Sequence, residues 1–327
     1  MKKPILYTAF QPTGNLHIGN FLGAVKNFVD LQNSGIYDCY LAVADLHALT
    51  GNKNAHELHD QILRTVAELL AVGVDPEKTV FYVQSHVAEH SELAWIFNTI
   101  TPIAELERMT QYKDKSVRQA KNINAGLLTY PILQAADMLL YHSTHVPVGK
   151  DQVQHVELTR DIARWFNKKF EDYFPETKVV LTEIPKVMSL LEPTAKMSKS
   201  LGLGHVIELA DEPDIIMKKM KKAVTATEGG GIAPGVENLL LLLKQFSDEK
   251  IHAKFINAEK EGTIRYGDLK TILAESIGQY FVDFRDRRRE FLENHDMLAE
   301  ILLHGTQQAR IVAQKTMEDV RSLVGIR

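Results

Sequence analysis

The sequence predicts an α/β fold: a Rossmann-like parallel-sheet catalytic domain with a helical insertion, followed by a C-terminal α-helical domain. In the first half of the 327 residues, short apolar segments alternate with longer segments of helical periodicity. This alternation is typical of a parallel sheet whose two faces are covered by helices. After the loop at 196–200 the strand pattern fades, and from Asn238 onward the periodicity is helical. We therefore place the domain boundary at residue 200, which gives domains 1–200 and 201–327.

Each element of the first half follows from its own pattern. Residues 5–9 form a short apolar strand, and apolar residues over 18–32 then recur at helical spacing. Residues 39–44 and 79–83 are predicted strands, separated by a helix that ends at Gly73. In parallel sheets, ligands bind outside the carboxyl ends of the strands. Those ends carry Gln11, Pro12, Thr13, Asp45, His47 and Gln84.

The rest of the first half continues the same alternation. Residues 91–141 are predicted to be helical and inserted between strands. A strand follows over 145–148, and an amphipathic helix is predicted from Asp151 to about Phe170.

Composition excludes several classes of protein. The single cysteine, Cys39, excludes a disulfide framework or a multi-cysteine metal centre and favours a reducing, cytoplasmic location. The apolar run after Lys3 is too short for a signal peptide, and the other apolar runs, such as Cys39–Ala44 and Leu239–Leu243, are far shorter than a membrane span, so no membrane association is expected. A formal net charge of −4 gives no general attraction to nucleic acid, so such contacts must use local basic patches.

Two short motifs carry groups that handle a nucleoside triphosphate. In the first, residues 11–20 place a turn and a helix N-terminus after the first strand, where free backbone N–H groups can bind an anion. Gly19 lets a flat base approach the backbone, and His17 and Asn20 share one helix face from which both can donate to phosphate oxygens. Such a turn by itself is commonly structural.

The second motif is Lys196-Met197-Ser198-Lys199-Ser200. Two lysines in a loop supply positive charge that stabilises a departing pyrophosphate. A lysine loop alone is commonly a solvated basic surface. The two motifs together predict chemistry on ATP, because a chance match to both is rare.

This combination resembles the class I aminoacyl-tRNA synthetases, and most of the chain is similar to the bacterial tryptophanyl-tRNA synthetase family. The segments that carry the resemblance are 11–20, 105–113, 125–131, 135–137, 146–152, 187–190 and 196–200, so it is dense over 1–200 and thin beyond. It implies a ligase that activates L-tryptophan with ATP and Mg²⁺ and transfers it to the 3′ end of tRNA(Trp). It also implies a cytoplasmic homodimer whose helical domain, 201–327, binds the anticodon stem.

The resemblance also assigns roles to individual residues. The catalytic set that it implies is His17, Asn20, Lys115, Lys196 and Lys199. The ATP-binding set is Gln11, Pro12, Thr13, Gly19, Asn20, Gly149, Lys150, Asp151, Val187, Lys196, Met197, Ser198, Lys199 and Ser200. The tryptophan-binding set is Asp137, Tyr7, His47, Tyr130, Gln134, Val146, Val148 and Gln152, in which Asp137 accepts the indole N–H. No metal ligands are expected from the protein.

Asp137 also stands out by its chemistry. It lies in an otherwise apolar helical segment, and a buried carboxylate without a partner is costly. A ligand N–H would satisfy it, and so would an internal arginine, lysine or backbone contact, and the sequence leaves both open. A polar group that the substrate must satisfy gives strong rejection of analogues that lack the matching group.

Two residues keep a tyrosyl-tRNA synthetase of the same fold as an alternative. Tyr7 stands where phenylalanine is common in the tryptophanyl family, and Gln134 stands where methionine is common. Gln11 and the segments 108–113 and 148–152 favour the tryptophanyl family. Two further alternatives are a nucleotidyltransferase, which does not need the 196–200 loop, and a non-catalytic tRNA-binding or tryptophan-sensing paralogue, which does not need to keep Lys196 and Lys199.

Weaker signals receive plainer interpretations. His86 and His90 are four residues apart, but no third metal ligand is evident, so we predict surface or capping roles. Two basic clusters are interpreted as solvated faces that, in a synthetase, would contact the phosphate backbone of tRNA. They are Lys218, Lys219, Lys221 and Lys222, and Arg285, Arg287, Arg288 and Arg289.

Overall fold

Five short strands form one parallel sheet in the order β3-β2-β1-β4-β5. The strands are β1 (Ile5–Phe10), β2 (Asp38–Val43), β3 (Thr79–Val83), β4 (His145–Val148) and β5 (Lys178–Leu181). The architecture comes from a computed structural model that describes residues 3–51, 54–113, 123–149, 152–181, 186–225 and 233–326. The predicted Rossmann-like parallel sheet is confirmed, and four of its strands lie within a residue of their predicted bounds.

Helices cover the sheet and make up the C-terminal part of the chain. They are α1 (Ile18–Asn20), α2 (Lys26–Asn33), α3 (Asp45–Ala48), α4 (Ala55–Val72), α5 (Glu89–Asn98), α6 (Ile103–Arg108), α7 (Ala125–Leu139), α8 (Val153–Lys169), α9 (Pro213–Lys222), α10 (Pro234–Phe246), α11 (Glu249–Lys260), α12 (Tyr266–Tyr280), α13 (Val282–Glu293) and α14 (His295–Val324). A π-helical turn over Phe21–Val25 joins α1 to α2. Gly73 caps α4 in the left-handed conformation (φ 116°), as its position after the apolar face predicts.

The chain folds into two compact units. Unit 1 comprises Met1–Gly14, Asn27–Thr182 and Asn294–Arg327, and unit 2 comprises Asn15–Lys26 and Glu183–Glu293. The predicted division at residue 200 concerns function and stays a prediction. Compactness divides the chain differently, because α14 packs on β3 in unit 1 and the loop at 196–200 lies against the start of α1 in unit 2.

In unit 1 the strand order places a switch point between β1 and β4. From β1 the chain proceeds outward to β2 and β3 on one side, and β4 and β5 continue on the other. Diverging loops at such a point leave a crevice at the carboxyl ends of the two central strands. The last helix, α14, closes one face of the sheet, where the hydroxyl of Thr316 donates to the carbonyl of Leu140 (2.8 Å).

In unit 2 the core is built from aromatic and aliphatic side chains of the helices. Phe281 lies against Phe21 with ring centroids 5.2 Å apart, and Tyr280 lies against Phe246 at 5.0 Å. The side chain of Asn238 on α10 holds the segment at Met188, because it accepts from the Met188 N–H (2.9 Å) and donates to the Met188 carbonyl (3.0 Å). No helix in the described ranges is long and apolar enough to cross a membrane.

Candidate active site

In unit 2, His17 and Asn20 cap the start of α1 reciprocally. Nδ1 of His17 accepts from the backbone N–H of Asn20 (3.3 Å), and Oδ1 of Asn20 accepts from the backbone N–H of His17 (3.2 Å). Because Nδ1 is an acceptor, a neutral His17 carries its proton on Nε2. The cap therefore leaves two side-chain donors, Nε2–H of His17 and the amide nitrogen of Asn20, at a helix N-terminus.

The surroundings of His17 keep its ring neutral. The residue is 6% exposed. Burial first, and then the charges of Lys199 and Lys196, lower the pKa of His17 from 6.5 to about 4. At neutral pH the ring is therefore an N–H donor without a charge, and the positive charge beside it comes from the two lysines.

The loop at 196–200 lies against this helix start within unit 2. Nζ of Lys199 donates to the carbonyl of Asn15 (2.8 Å), and Met197 is buried. A Cβ placed on Gly19 would lie 2.9 Å from Cε1 of His17 and 3.5 Å from Cβ of Met197. Gly19 therefore makes room for the His17 ring, a role in addition to the predicted approach of a base. The two predicted motifs, distant in sequence, are neighbours in the structure.

Backbone pairing fixes the position of the loop. The N–H of Met197 donates to the carbonyl of Val187 (3.0 Å), and the N–H of Ser189 donates to the carbonyl of Ala195 (2.9 Å). Beyond this pairing, Oγ of Ser198 accepts from the N–H of Ser200 (3.3 Å). Unit 2 thus gathers His17 of the predicted catalytic set and eight of the predicted ATP-binding residues: Gly19, Asn20, Val187, Lys196, Met197, Ser198, Lys199 and Ser200.

The other predicted ATP-binding residues that the structure describes lie in unit 1. Gln11, Pro12 and Thr13 follow β1 directly, and Gly149 follows β4 directly. Since β1 pairs with β4, both segments leave the sheet at its switch point. Lys115, Lys150 and Asp151 lie outside the described residues, so their predicted roles stay predictions.

Unit 1 also contains the predicted amino-acid pocket, built around Asp137 on α7. This residue is 1% exposed, and three side chains donate to its carboxylate. Nε2 of His47 lies 2.8 Å from Oδ2, Nδ1 of His90 lies 2.6 Å from Oδ1, and Nε2 of Gln84 lies 2.7 Å from Oδ1. Of the two possibilities that the sequence left open, an internal contact is therefore present, made by histidine and glutamine rather than by arginine, lysine or the backbone.

The histidines determine the charge of Asp137. Burial alone would raise the pKa of this carboxyl group, but the charges and hydrogen bonds of His47 and His90 outweigh burial and hold the pKa well below its usual range. Asp137 is therefore ionised and can only accept hydrogen bonds. Each of its oxygens can accept more than one hydrogen bond, and Oδ2 has the single partner His47 among these three contacts.

Aromatic rings surround this carboxylate. The Tyr130 ring meets the His47 ring edge to face (6.4 Å), and the Tyr130 hydroxyl lies 3.0 Å from Nε2 of His155. Tyr7 is buried and stacks on Tyr141 (5.9 Å), and burial, followed by the charge of Asp137, raises its pKa well above the usual value. Gln134 is half-buried one helical turn before Asp137, Val146 and Val148 lie on β4, and Gln152 directly precedes α8.

His90 is a further residue of this site, and the prediction of a surface or capping role for it is wrong. His90 is fully buried, whereas His86 is exposed. The spacing of His90 with the buried Leu93 and Phe97 places it on the core face of α5, and this periodicity could have predicted its burial. Its contact with Asp137 has no signal in the sequence, because the two residues meet only through the packing of α5 on α7.

Comparison with known proteins identifies the family. A model of the class I tRNA synthetases (W and Y) matches residues 1–282. The chain belongs to the class I tRNA synthetases. This class I synthetase is 42% identical over 332 residues to tryptophan–tRNA ligase 2 of Streptomyces avermitilis, an alignment that covers 99% of this chain and 97% of the relative.

Solved structures extend the similarity through the helical tail of the synthetase. The tryptophanyl-tRNA synthetase of Campylobacter jejuni, solved with ADP and tryptophan, matches with a TM-score of 0.86 and 36% identity over 98% of this chain and 99% of that one. The enzyme of Mycoplasma pneumoniae matches with a TM-score of 0.86 and 33% identity over 100% and 99% of the two chains. The expected class I synthetase fold is confirmed over the whole chain.

Proposed function

We propose that this class I synthetase is a tryptophan–tRNA ligase, which forms tryptophanyl-adenylate from L-tryptophan and ATP and transfers the tryptophanyl group to the 3′ end of tRNA(Trp). The identity of 42% to a tryptophan–tRNA ligase over nearly the full chain supports this activity. The structural observation that carries the choice of substrate is the ionised, buried carboxylate of Asp137, an acceptor with which an indole N–H can pair.

Adenylate formation requires positioning and charge rather than a protein nucleophile. The tryptophan carboxylate attacks the α-phosphorus of ATP, the new O–P bond forms, and the bond to pyrophosphate breaks. Nε2–H of His17 and the Asn20 amide donate to phosphate oxygens. Lys196 and Lys199 stabilise the charge that develops on pyrophosphate, and Lys199 also donates to the carbonyl of Asn15.

We propose that Mg²⁺ enters with the nucleotide. Within the described ranges, no group of three His, Cys, Asp or Glu side chains is arranged to hold a metal ion. This fits Mg²⁺, which in nucleotide sites takes most of its ligands from phosphate and water. When bound to the triphosphate, it would add charge neutralisation to that of the two lysines.

The amino-acid pocket is proposed to take the indole ring between aromatic and aliphatic side chains. His47, Tyr7, Tyr130, Gln134, Val146, Val148 and Gln152 are its proposed lining. Tyr7 and Gln134 keep tyrosine as the competing substrate. A phenol presents a hydroxyl, whereas an indole presents an N–H that must donate, and an acceptor-only carboxylate satisfies that N–H.

The helical part is proposed to bind tRNA, and two copies are proposed to form a homodimer in the cytoplasm. Lys218, Lys221 and Lys222 are exposed on α9 and supply positive charge for a phosphate backbone. In unit 1, Trp95 on α5 is 71% exposed and Ile103 on α6 is 65% exposed, and large apolar side chains of this kind anchor protein interfaces.

Amino-acid-dependent ATP–pyrophosphate exchange tests the proposal. We expect exchange with tryptophan. With tyrosine, kcat/KM should be at least about 100-fold lower, because a substrate without the indole N–H leaves buried polar groups of the pocket unpaired. Asp137→Ala should raise the KM for tryptophan by about 100-fold and leave the KM for ATP within about twofold. Lys199→Ala is the matched variant, and it should slow exchange with little change in the KM for tryptophan. Exchange with tyrosine alone would refute the substrate, and exchange with neither would favour the non-catalytic paralogue.

A further inference from the structure

We infer that His90 is a positioning residue that orients Asp137 so that Oδ2 is the oxygen left to accept a hydrogen bond from the substrate. This inference rests on the proposed function, since it takes Asp137 as the acceptor of the indole N–H. It concerns a fully buried residue that contacts the carboxylate of Asp137.

The contacts of His90 define its tautomer. Nδ1 lies 2.6 Å from Oδ1 of Asp137, and an ionised carboxylate can only accept, so Nδ1 carries a proton. Nε2 lies 2.9 Å from the hydroxyl of Tyr141 and 3.2 Å from that of Tyr82. With Nδ1 protonated toward Asp137, Nε2 can pair with these hydroxyls as an acceptor in the neutral ring and as a donor in the charged ring. His90 is thus fixed at both nitrogens, and its ring is held at 0% exposure.

The donors divide unequally between the two carboxylate oxygens. Oδ1 receives His90 and Gln84, which hold it from the side of β3 and α5. Oδ2 receives His47 alone in these contacts. Because the two oxygens of an ionised carboxylate are equivalent, the two bonds from His90 and Gln84 fix the plane of the group and the direction in which its other oxygen points. The tyrosines extend this restraint into the core, because Tyr141 stacks on both Tyr7 (5.9 Å) and Tyr40 (4.8 Å).

A purely structural role for His90 makes a different prediction. The residue shares the core face of α5 with Leu93 and Phe97, so its replacement will also disturb packing. Loss of packing alone would lower thermal stability. It would not change the preference of the enzyme for a substrate with a ring N–H over a substrate without one. Discrimination between two substrates is therefore the readout that separates positioning from packing.

The experiment compares His90→Asn with His90→Gln in the full-length enzyme. The amide nitrogen of asparagine can occupy the position of Nδ1 and donate to Asp137, whereas that of glutamine corresponds to Nε2. Exchange is measured with tryptophan and with β-(benzothiophen-3-yl)alanine, in which sulfur replaces the ring N–H. Phe97→Leu, on the same buried face, is the packing control, and Asp137→Ala is the reference for loss of the acceptor.

We expect His90→Gln to reduce the preference for tryptophan over the sulfur analogue at least tenfold, through the KM for tryptophan, with the KM for ATP within twofold. His90→Asn should retain most of the preference, and Phe97→Leu should lower the melting temperature but keep the preference. If His90→Gln keeps the wild-type preference while Asp137→Ala loses it, the inference is overturned and the proposed function stands. Equal losses in His90→Asn and His90→Gln would also overturn it. No exchange with tryptophan in the wild type would instead overturn the proposed function.

Discussion

At the scale of single residues, the reciprocal cap between His17 and Asn20 determines which of their side-chain atoms are left to donate hydrogen bonds at the proposed ATP motif. Oδ1 of Asn20 is occupied by the backbone N–H of His17. Only the donor end of the amide is left for a phosphate. His17 is held neutral with its proton on Nε2. Both groups therefore donate at neutral pH without depending on a titration.

Gly19→Ala tests how closely this arrangement is packed. The new Cβ would lie 2.9 Å from Cε1 and 3.0 Å from Nδ1 of His17, so the ring must move and its bond to Asn20 must lengthen. We expect kcat for pyrophosphate exchange to fall by about 10- to 100-fold, since small displacements of positioning groups have effects of this order. The matched control is Gly23→Ala, where nothing lies within 4 Å of the new Cβ. Equal rates in the two variants would show that the His17 ring does not need its present position.

The three side chains that contact Asp137 differ in how far the sequence predicts their positions. His47 and Gln84 could be placed near one another from the sequence, because both follow strands of a parallel sheet. His90 could not be placed beside them, because it reaches Asp137 from a helix. The rotation of a carboxylate and the tautomer of a histidine depend on side-chain packing, which periodicity does not describe.

At the scale of elements, the position of α14 depends on a glycine. Gly305 lies over β3, where a Cβ would be only 1.9 Å from the carbonyl oxygen of Phe81. The helix therefore approaches the strand backbone directly, at a distance that only glycine permits. Further along α14, Arg321 pairs with Glu92 on α5, with Nε 2.7 Å from Oε1.

Gly305→Ala should consequently destabilise unit 1. We expect the free energy of unfolding to fall by about 1–3 kcal/mol, the usual cost of overpacking, despite the higher helix propensity of alanine. Urea unfolding followed by circular dichroism measures this change. Gly278→Ala on α12 is the control, since its Cβ would meet Pro213 at an ordinary 3.6 Å. A neutral Gly305→Ala would mean that α14 can move away from β3 at no cost.

The strands differ in how well the sequence predicted them. β2 and β3 are apolar runs because helices cover both of their faces, and their bounds were predicted within a residue. β5 was missed. It is an edge strand of four residues with both ends exposed, so neither a buried run nor an alternation marks it. The bounds of short edge strands are set by their pairing partner, here β4.

At the scale of the whole molecule, the chain moves between its two units more than once. Residues 15–26 leave unit 1 after β1 and join unit 2, and α14 returns to unit 1 at the end. A single domain boundary along the sequence cannot describe this path, because the strand pattern in the sequence fades only once, near residue 200. The helical tail offers few recognisable motifs, yet the alignment with the Streptomyces avermitilis relative covers 99% of the chain and the structural similarity to the Campylobacter jejuni enzyme covers 98%.

The proposed homodimer makes the last prediction at this scale. Trp95 and Ile103 lie on consecutive helices of unit 1 and are 71% and 65% exposed. A buried tryptophan in an interface contributes about 2 kcal/mol or more, and a glutamate in its place would bury an unpaired charge. Trp95→Glu should therefore weaken dimerisation at least about 30-fold, as measured by sedimentation velocity across a dilution series.

The control for this variant is Ile36→Glu, which replaces an apolar side chain of similar exposure (58%) in the loop before β2. It should leave the dissociation constant of the dimer unchanged, because the proposed interface is formed by α5 and α6. Melting curves of both variants separate loss of association from loss of folding. A Trp95→Glu variant that dimerises as tightly as the wild type would place the interface elsewhere on the chain, and a monomeric wild type at all concentrations would refute the dimer itself.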